Sequence, residues 1–160
     1  MIFVTVGTHE QPFDRLIKKI DNMIRDDFFS EPVYMQIGYS TYIPKYAKYV
    51  RFLEYKEMEK FIDTARIVIT HGGPSSFINV LSKGKNPIVV PRLSRFDEHV
   101  NDHQLTFVRE LQKRKFNIIV VEDMQLLEEA IVNFTNTSNT FNSNNDAFVE
   151  RFSHIVYRLF

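Results

Sequence analysis

A chain of 160 residues, 44% of them hydrophobic, is long enough to bury about two thirds of its unfolded surface as one domain without covalent staples. Twenty Lys and Arg balance twenty Asp and Glu, so no global field recruits nucleic acid or an anionic bilayer, and any anionic ligand must be held locally. The absence of cysteine excludes disulfides, thiolate metal sites and a cysteine nucleophile, and fits a reducing cytoplasm.

Residues 2–6, IFVTV, read as a buried parallel strand that breaks at Gly7. A loop through Pro12 follows, then a helix on which Phe13, Leu16, Ile17, Ile20 and Ile24 recur at helical spacing, with Lys18, Lys19, Asp21 and Asn22 between them. Residues 33–37 form a second strand ended by Gly38. Residues 50–53 form a third, after a loop carrying Tyr39, Tyr42, Tyr46 and Tyr49. A short helix at 57–65 feeds a strand at 67–69, which turns through Thr70-His71-Gly72-Gly73 into a helix over 74–83 stopped by Gly84. Strand 88–90 lies between Pro87 and Pro91; a helix from about 99 to 114, a strand at 117–121 and a helix at 124–134 complete the pattern. Strands alternating with helices predict an α/β, Rossmann-like parallel sheet with helices on both faces. Right-handed crossovers then align Gly7, Gly38 and the turn at 71–73 along the carboxyl edge. Residues 1–135 are expected to form this domain, 136–146 a polar linker, and 147–160 an amphipathic helix that packs on its own domain or reaches another. The opening apolar run is too short, and lacks the basic flank, for a signal peptide or anchor, and no segment is long enough to span a bilayer. The fifteen Phe and seven Tyr imply an aromatic-rich core, some of them being available to cover a partner surface.

Chemistry concentrates between residues 66 and 104. Pro74 suits the first helical position, the glycines leave amides uncovered, and a strand, a Gly-Gly turn and a helix N-terminus make a phosphate cradle at 71–76. His71 stands where it can donate to a phosphate. On the helix, Phe77, Val80, Leu81 and Gly84 share an inward face, whereas Ser75, Asn79 and Ser82 face the cleft, Asn79 being suited to a ribose hydroxyl. An ordinary strand-to-helix connection is the plain alternative. The following loop carries Arg92, Ser94, Arg95, Asp97, Glu98, His99, Asn101, Asp102, His103 and Gln104, a density of donors and acceptors that suits a sugar; a solvated loop is the alternative. Other chemistries fit less well. His99 and His103 have the spacing of helical zinc ligands, but the intervening residues lack the metalloprotease Glu. No G-x-S-x-G elbow, G-x-G-x-x-G fingerprint or Walker lysine occurs. There is no Asp-x-Asp to clamp a metal on a diphosphate, so neutralisation falls to the helix dipole, His71 and Arg92 or Arg95.

The segments VTVGTHEQPFDRL, EYKEM at 54–58, THGGPSSF and PRLSRFDEHVNDHQ together resemble the donor-binding C-terminal half of GT-B glycosyltransferases. They are more similar still to the short stand-alone donor subunits of two-component UDP-sugar transferases acting in dolichol-linked and bacterial capsule or exopolysaccharide assembly, and the opening and EHVNDHQ favour the latter. The resemblance implies that residues from Tyr55 to Met58 lie against uracil and that His71, Gly72, Gly73, Ser75 and Ser76 hold the diphosphate, with Gly7 and Thr8 bordering the donor. It further implies that Asn79, where relatives commonly carry Glu, meets the ribose, and that Arg92, Glu98, His99, Asn101, Asp102, His103 and above all Gln104 surround the sugar. The implied reaction is inverting transfer without metal or cofactor, the UDP-sugar being a substrate. Galactose is the first expectation, then N-acetylglucosamine and glucuronic acid. A membrane-anchored partner is expected to supply the other GT-B half and bind a lipid-linked saccharide acceptor. That would keep this chain peripheral at the cytoplasmic face, with the terminal helix crossing onto the partner. His9 and Glu10 are the local candidates for the base, the partner being the alternative source.

Overall fold

The computed structural model describes residues 1–135, so the expected linker at 136–146 and helix at 147–160 lie outside the described residues. Six strands form one sheet: β1 (Ile2–Thr5), β2 (Val33–Gln36), β3 (Lys48–Val50), β4 (Ile67–His71), β5 (Ile88–Val90) and β6 (Ile119–Val120). Their order is β3-β2-β1-β4-β5-β6, and every pairing is parallel, β1 lying in register with β4 from Ile2↔Ile67 to Thr5↔Thr70. The order reverses direction between β1 and β4, and the crevice above such a switch point is where doubly wound sheets bind ligands.

The helices are α1 (Asp14–Arg25), α2 (Tyr55–Thr64), α3 (Pro74–Ser82), α4 (His103–Lys113) and α5 (Leu127–Val132). Alternation along each strand divides them between the two faces. Ile2, Val4, Val33, Met35, Ile67, Ile69, Ile88 and Val90 pack with Leu16, Ile17, Ile20 and Met23 of α1 and with Leu127 and Ile131 of α5. On the opposite face Phe3 and Val68 meet Ile62 of α2 and Val80 of α3, while Val89 meets Phe77, Phe107, Val108 and Leu111. Among the aromatic residues, Phe3, Phe13 and Phe77 are buried in the core, whereas Tyr39, Tyr46, Tyr49, Phe52 and Tyr55 are exposed.

Several boundaries shift for identifiable reasons. The third strand is Lys48–Val50 rather than 50–53, because it pairs with Tyr34 to Gln36 and its chain then turns to bond Gly38 through Arg51 O (2.8 Å). Helix α2 starts two residues early, held by a reciprocal capping box between Glu54 and Glu57. Gly84 is exposed and lies beyond α3 at φ 71°, the left-handed residue that closes the helix, not part of its inward face. Helix α4 begins only at His103, the expected helical start at 99 being replaced by a 3-10 turn at Ser94–Phe96 and a loop. The expected helix at 124–134 divides into a 3-10 turn, Met124–Leu126, and α5.

Candidate functional site

Strands β1 and β4 deliver the two turns of the crevice side by side. Gly7, at φ 72°, leaves β1, and its turn is clamped by the buried Gln36. The Gln36 Oε1 accepts from Gly7 N (3.1 Å) and from Thr5 Oγ1 (2.6 Å), while its Nε2 donates to Gly7 O (3.0 Å) and Arg51 O (2.8 Å). Gln36 is the last residue of β2 and a polar side chain at the end of an otherwise apolar strand, which is the signal the sequence carries for this clamp. Gly38 closes against the same turn: a Cβ on it would stand 2.6 Å from Gly7 O.

His71 ends β4 with its imidazole buried between the two glycine turns. A Cβ built on Gly7 would lie 2.4 Å from the ring's Cε1, and one on Gly73 would lie 2.3 Å from Nε2, so both positions require glycine simply to admit the ring. Burial, with Arg92 nearby, depresses the His71 pKa to about 3, and Nδ1 has no hydrogen-bond partner of normal geometry. Burial holds the imidazole neutral, and it can donate one N–H toward an anion. Immediately beyond it, Gly73 precedes α3, whose first residue Pro74 lacks an N–H; the Ser75 amide therefore heads the helix, while the Ser76 amide donates to Gly73 O (3.1 Å). Ser75 is exposed and Ser76 half-buried. The helix N-terminus carries a partial positive charge at this point.

Gln104, on the first turn of α4, is seated on the Gly72 side of the turn. A Cβ on Gly72 would come within 2.9 Å of Gln104 Cβ and 3.1 Å of its Oε1. That Oε1 accepts from Arg92 N (3.1 Å), which directs the amide nitrogen as the free donor of the side chain. The structure thus brings together Gly7, His71, Gly72, Gly73 and Gln104, residues drawn from three separate stretches of sequence.

Arg92 and Glu98 do not join them as ligand-facing groups. The Arg92 side chain is fully buried: Nη2 donates to Val6 O (2.9 Å) and Nη1 to Gln11 O (2.7 Å) and Glu98 O (3.1 Å), and the guanidinium lies over the Phe13 ring at 4.8 Å. Desolvation lowers its pKa to about 10, still charged at neutral pH. Glu98, also buried, accepts from Arg15 Nε (2.8 Å), Arg15 Nη2 (2.9 Å) and Leu93 N (3.0 Å). These two side chains build the walls behind the crevice, because four carbonyls already take up the terminal nitrogens of Arg92 and three donor nitrogens, from Arg15 and Leu93, hold the Glu98 carboxylate. Arg95 remains exposed, its guanidinium over Phe96.

The remaining expected residues occupy the rim. Thr8 and Glu10 are exposed in the β1–α1 loop. His9 is half-buried, stacked on His99 with ring centroids 4.6 Å apart and within 2.9 Å of Gln11 Oε1. Desolvation, and then the neighbouring His9, lower the His99 pKa. Because His99 lies in the loop and only His103 in α4, the pair does not present the helical ligand spacing read from the sequence. Asn101 Oδ1 accepts from His103 N (3.1 Å) and Asp102 Oδ1 from Ser94 N (2.8 Å), so both shape the loop. Asn79 is half-buried on α3. Tyr55, 69% exposed, heads α2 with its hydroxyl donating to Glu59 (3.0 Å), while Met58 packs beneath on the Phe3 and Val68 cluster. Both lie toward the carboxyl edge, where β3 gives way to α2.

The glycosyltransferase family 28 C-terminal domain matches residues 1–159. Two curated proteins, each named UDP-N-acetylglucosamine transferase subunit ALG13, are similar: the human protein is 31% identical over 121 residues and the mouse protein 29% over 120, covering 70% and 69% of this chain. The chain spans only 10% of the length of either relative. Among solved structures, the glycosyltransferase SnogD from Streptomyces nogalater aligns over 76% of this chain and 31% of its own, with 16% identity and a TM-score of 0.48. The kitacinnamycin glycotransferase aligns over 98% and 38%, with 15% identity and a TM-score of 0.47. The family match covers β1, the glycine turns, Gln104 and the rest of the crevice alike, and the chain belongs to the glycosyltransferase family 28 C-terminal domain family.

Proposed function

We propose that this chain is the donor-binding, catalytic subunit of a two-component UDP-sugar glycosyltransferase. The observation that carries this reading is the convergence of His71, the Gly72-Gly73 turn, the α3 N-terminus and Gln104 at the switch point. Amides at a helix N-terminus stabilise the charge that builds on a departing diphosphate, and they do so preorganised and without a metal. A neutral His71 adds a directed hydrogen bond, and the Gln104 amide stands beside the turn where the sugar joins the diphosphate. In this reading an acceptor hydroxyl attacks the anomeric carbon from the opposite side as UDP leaves, inverting the centre, and the proton passes to a base within hydrogen-bond reach. His9 and Glu10 on the crevice rim are the candidates from this chain; otherwise the partner supplies it.

The acceptor is proposed to be a lipid-pyrophosphate-linked saccharide carried by a membrane-anchored partner, in exopolysaccharide or capsule assembly, with this chain peripheral on the cytoplasmic face. Galactose is the proposed sugar, from the resemblance of the opening segment and EHVNDHQ. N-acetylglucosamine is the second reading, favoured by the names of the two curated relatives. A donor panel assayed with the co-expressed partner and a lipid-pyrophosphate monosaccharide separates them. Transfer is expected from UDP-galactose, to require both chains, and to fall in Gln104→Ala and His71→Ala. Undiminished transfer by both variants at saturating donor would overturn the catalytic reading in favour of a sensing or stabilising subunit.

A further inference from the structure

Two loops frame the crevice, the β1–α1 loop with His9 and Glu10 and the β5–α4 loop that leads to Gln104, and they are tied to one another at several points. Arg92, from the start of the second loop, reaches across to Val6 O (2.9 Å), Gln11 O (2.7 Å) and Pro12 O (3.3 Å) of the first, and back to Glu98 O (3.1 Å) of its own. Gln11 Nε2 returns the link by donating to Asp97 O (3.0 Å). Arg15, at the foot of the first loop, holds Glu98 through two nitrogens and Pro91 O through Nη2 (3.1 Å). At the rim the His9 ring lies flat on His99, and Gln11 Oε1 touches His9 Nε2. The backbone nitrogen of Arg92 meanwhile orients Gln104.

We infer that Arg92 and Gln11 are positioning residues that join these loops into one rigid body, fixing His9 and Glu10 relative to the Gln104 amide. Their task follows from where the ties fall. The α3 N-terminus and Gly73, which face the diphosphate, are outside the strap, so affinity for UDP, which carries no sugar for Gln104 to meet, does not depend on it. The relation of the acceptor side to the sugar does, and displacement of reacting groups by about 1 Å costs up to about a hundredfold in rate. Charge alone cannot substitute for the guanidinium. Its two terminal nitrogens reach four carbonyls in a fixed plane, whereas a lysine offers one nitrogen at the end of a flexible stem.

This inference rests on the proposed transfer for its kinetic consequence but not for its structural one, and the test separates the two. Hydrogen exchange is measured by residue in Arg92→Lys and in the milder Gln11→Ala, alongside UDP affinity of the chain and kcat of the reconstituted pair. Exchange is expected to rise together in residues 7–11 and 94–102 in both variants while the β4 amides stay protected. UDP affinity should hold within about twofold while kcat falls at least about tenfold. Gln11→Ala removes only two side-chain contacts at the rim, to Asp97 O and His9 Nε2, so it reports even where Arg92→Lys fails to fold. Loops that loosen one without the other, or kcat that survives joint loosening, would overturn the inference, as would loss of UDP affinity in proportion to kcat. A wild-type pair inactive on every donor defeats the proposed function instead, and the exchange pattern alone then decides the strap.

Discussion

His71 shows how a single residue's chemistry depends on its seat. The sequence places a histidine before two glycines, and read locally it is a titratable group next to an anion site. Buried against Gly7 and Gly73, with the charged Arg92 close by, it is held neutral down to about pH 3. The consequence for stability has a definite sign. Above the ordinary histidine value of 6.5 both folded and unfolded states are neutral, and the group adds no pH dependence. Between 6.5 and about 3 the unfolded chain takes up a proton that the folded chain refuses, so stability falls as pH falls through that window. His99, also lowered, acts in the same direction. His71→Gln is therefore expected to lose less stability than wild type on going from pH 7.5 to pH 5, measured as the shift in urea midpoint. Identical shifts would show that the imidazole protonates freely in the fold. The glycines themselves were legible as a turn that bares amides for phosphate. Their second role, clearance for the imidazole ring, was not, because the ring reaches Gly7 from 64 positions away.

At the scale of elements, helical and strand periodicities located the units because each apolar face recurs at a spacing that local backbone geometry sets. What they misjudged were polar residues inside those faces. Asp21 reads as one of several polar residues on the outer side of α1, yet it is fully buried and accepts from Tyr42 Oη (2.8 Å) and the backbone nitrogens of Lys45 (2.8 Å), Tyr46 (2.9 Å) and Ala47 (2.9 Å). Those bonds keep its carboxyl below the usual range, against the upward pull of burial that is the largest single influence. One carboxylate thus fastens the tyrosine-rich connection between β2 and β3 to α1, and Asp14 repeats the device on Thr41 and Tyr42. Asp21→Ala leaves three amides and a hydroxyl without their acceptor, which should cost roughly 3 kcal/mol in chemical denaturation, with UDP affinity retained because the crevice lies beyond the opposite end of α1. A loss under about 1 kcal/mol would mean that water takes over these donors.

For the whole molecule, the strand order decides where a ligand goes: β1 and β4 are adjacent, and the chain leaves them in opposite lateral directions, opening the crevice between their carboxyl ends. A ligand that binds only the folded crevice must stabilise the entire domain. UDP at a hundred times its dissociation constant is expected to raise the unfolding free energy of the isolated chain by about 2.7 kcal/mol, read as a concentration-dependent rise in Tm. No rise at millimolar UDP would argue that the site is completed only by another chain. The sequence by itself determined the α/β class, the alternation of strands and helices that implies a parallel sheet, and the glycine turn on the carboxyl edge, since each follows from contacts among near neighbours or from a repeating apolar spacing. Only the tertiary structure decided that His71 is neutral, that Arg92 and Glu98 stand behind the crevice instead of in it, and that Gln11 belongs to its architecture. Those outcomes rest on pairings such as Arg92 with Val6, 86 positions apart, and burial, which sets the charge and the partners of each group, is a property that no local pattern carries.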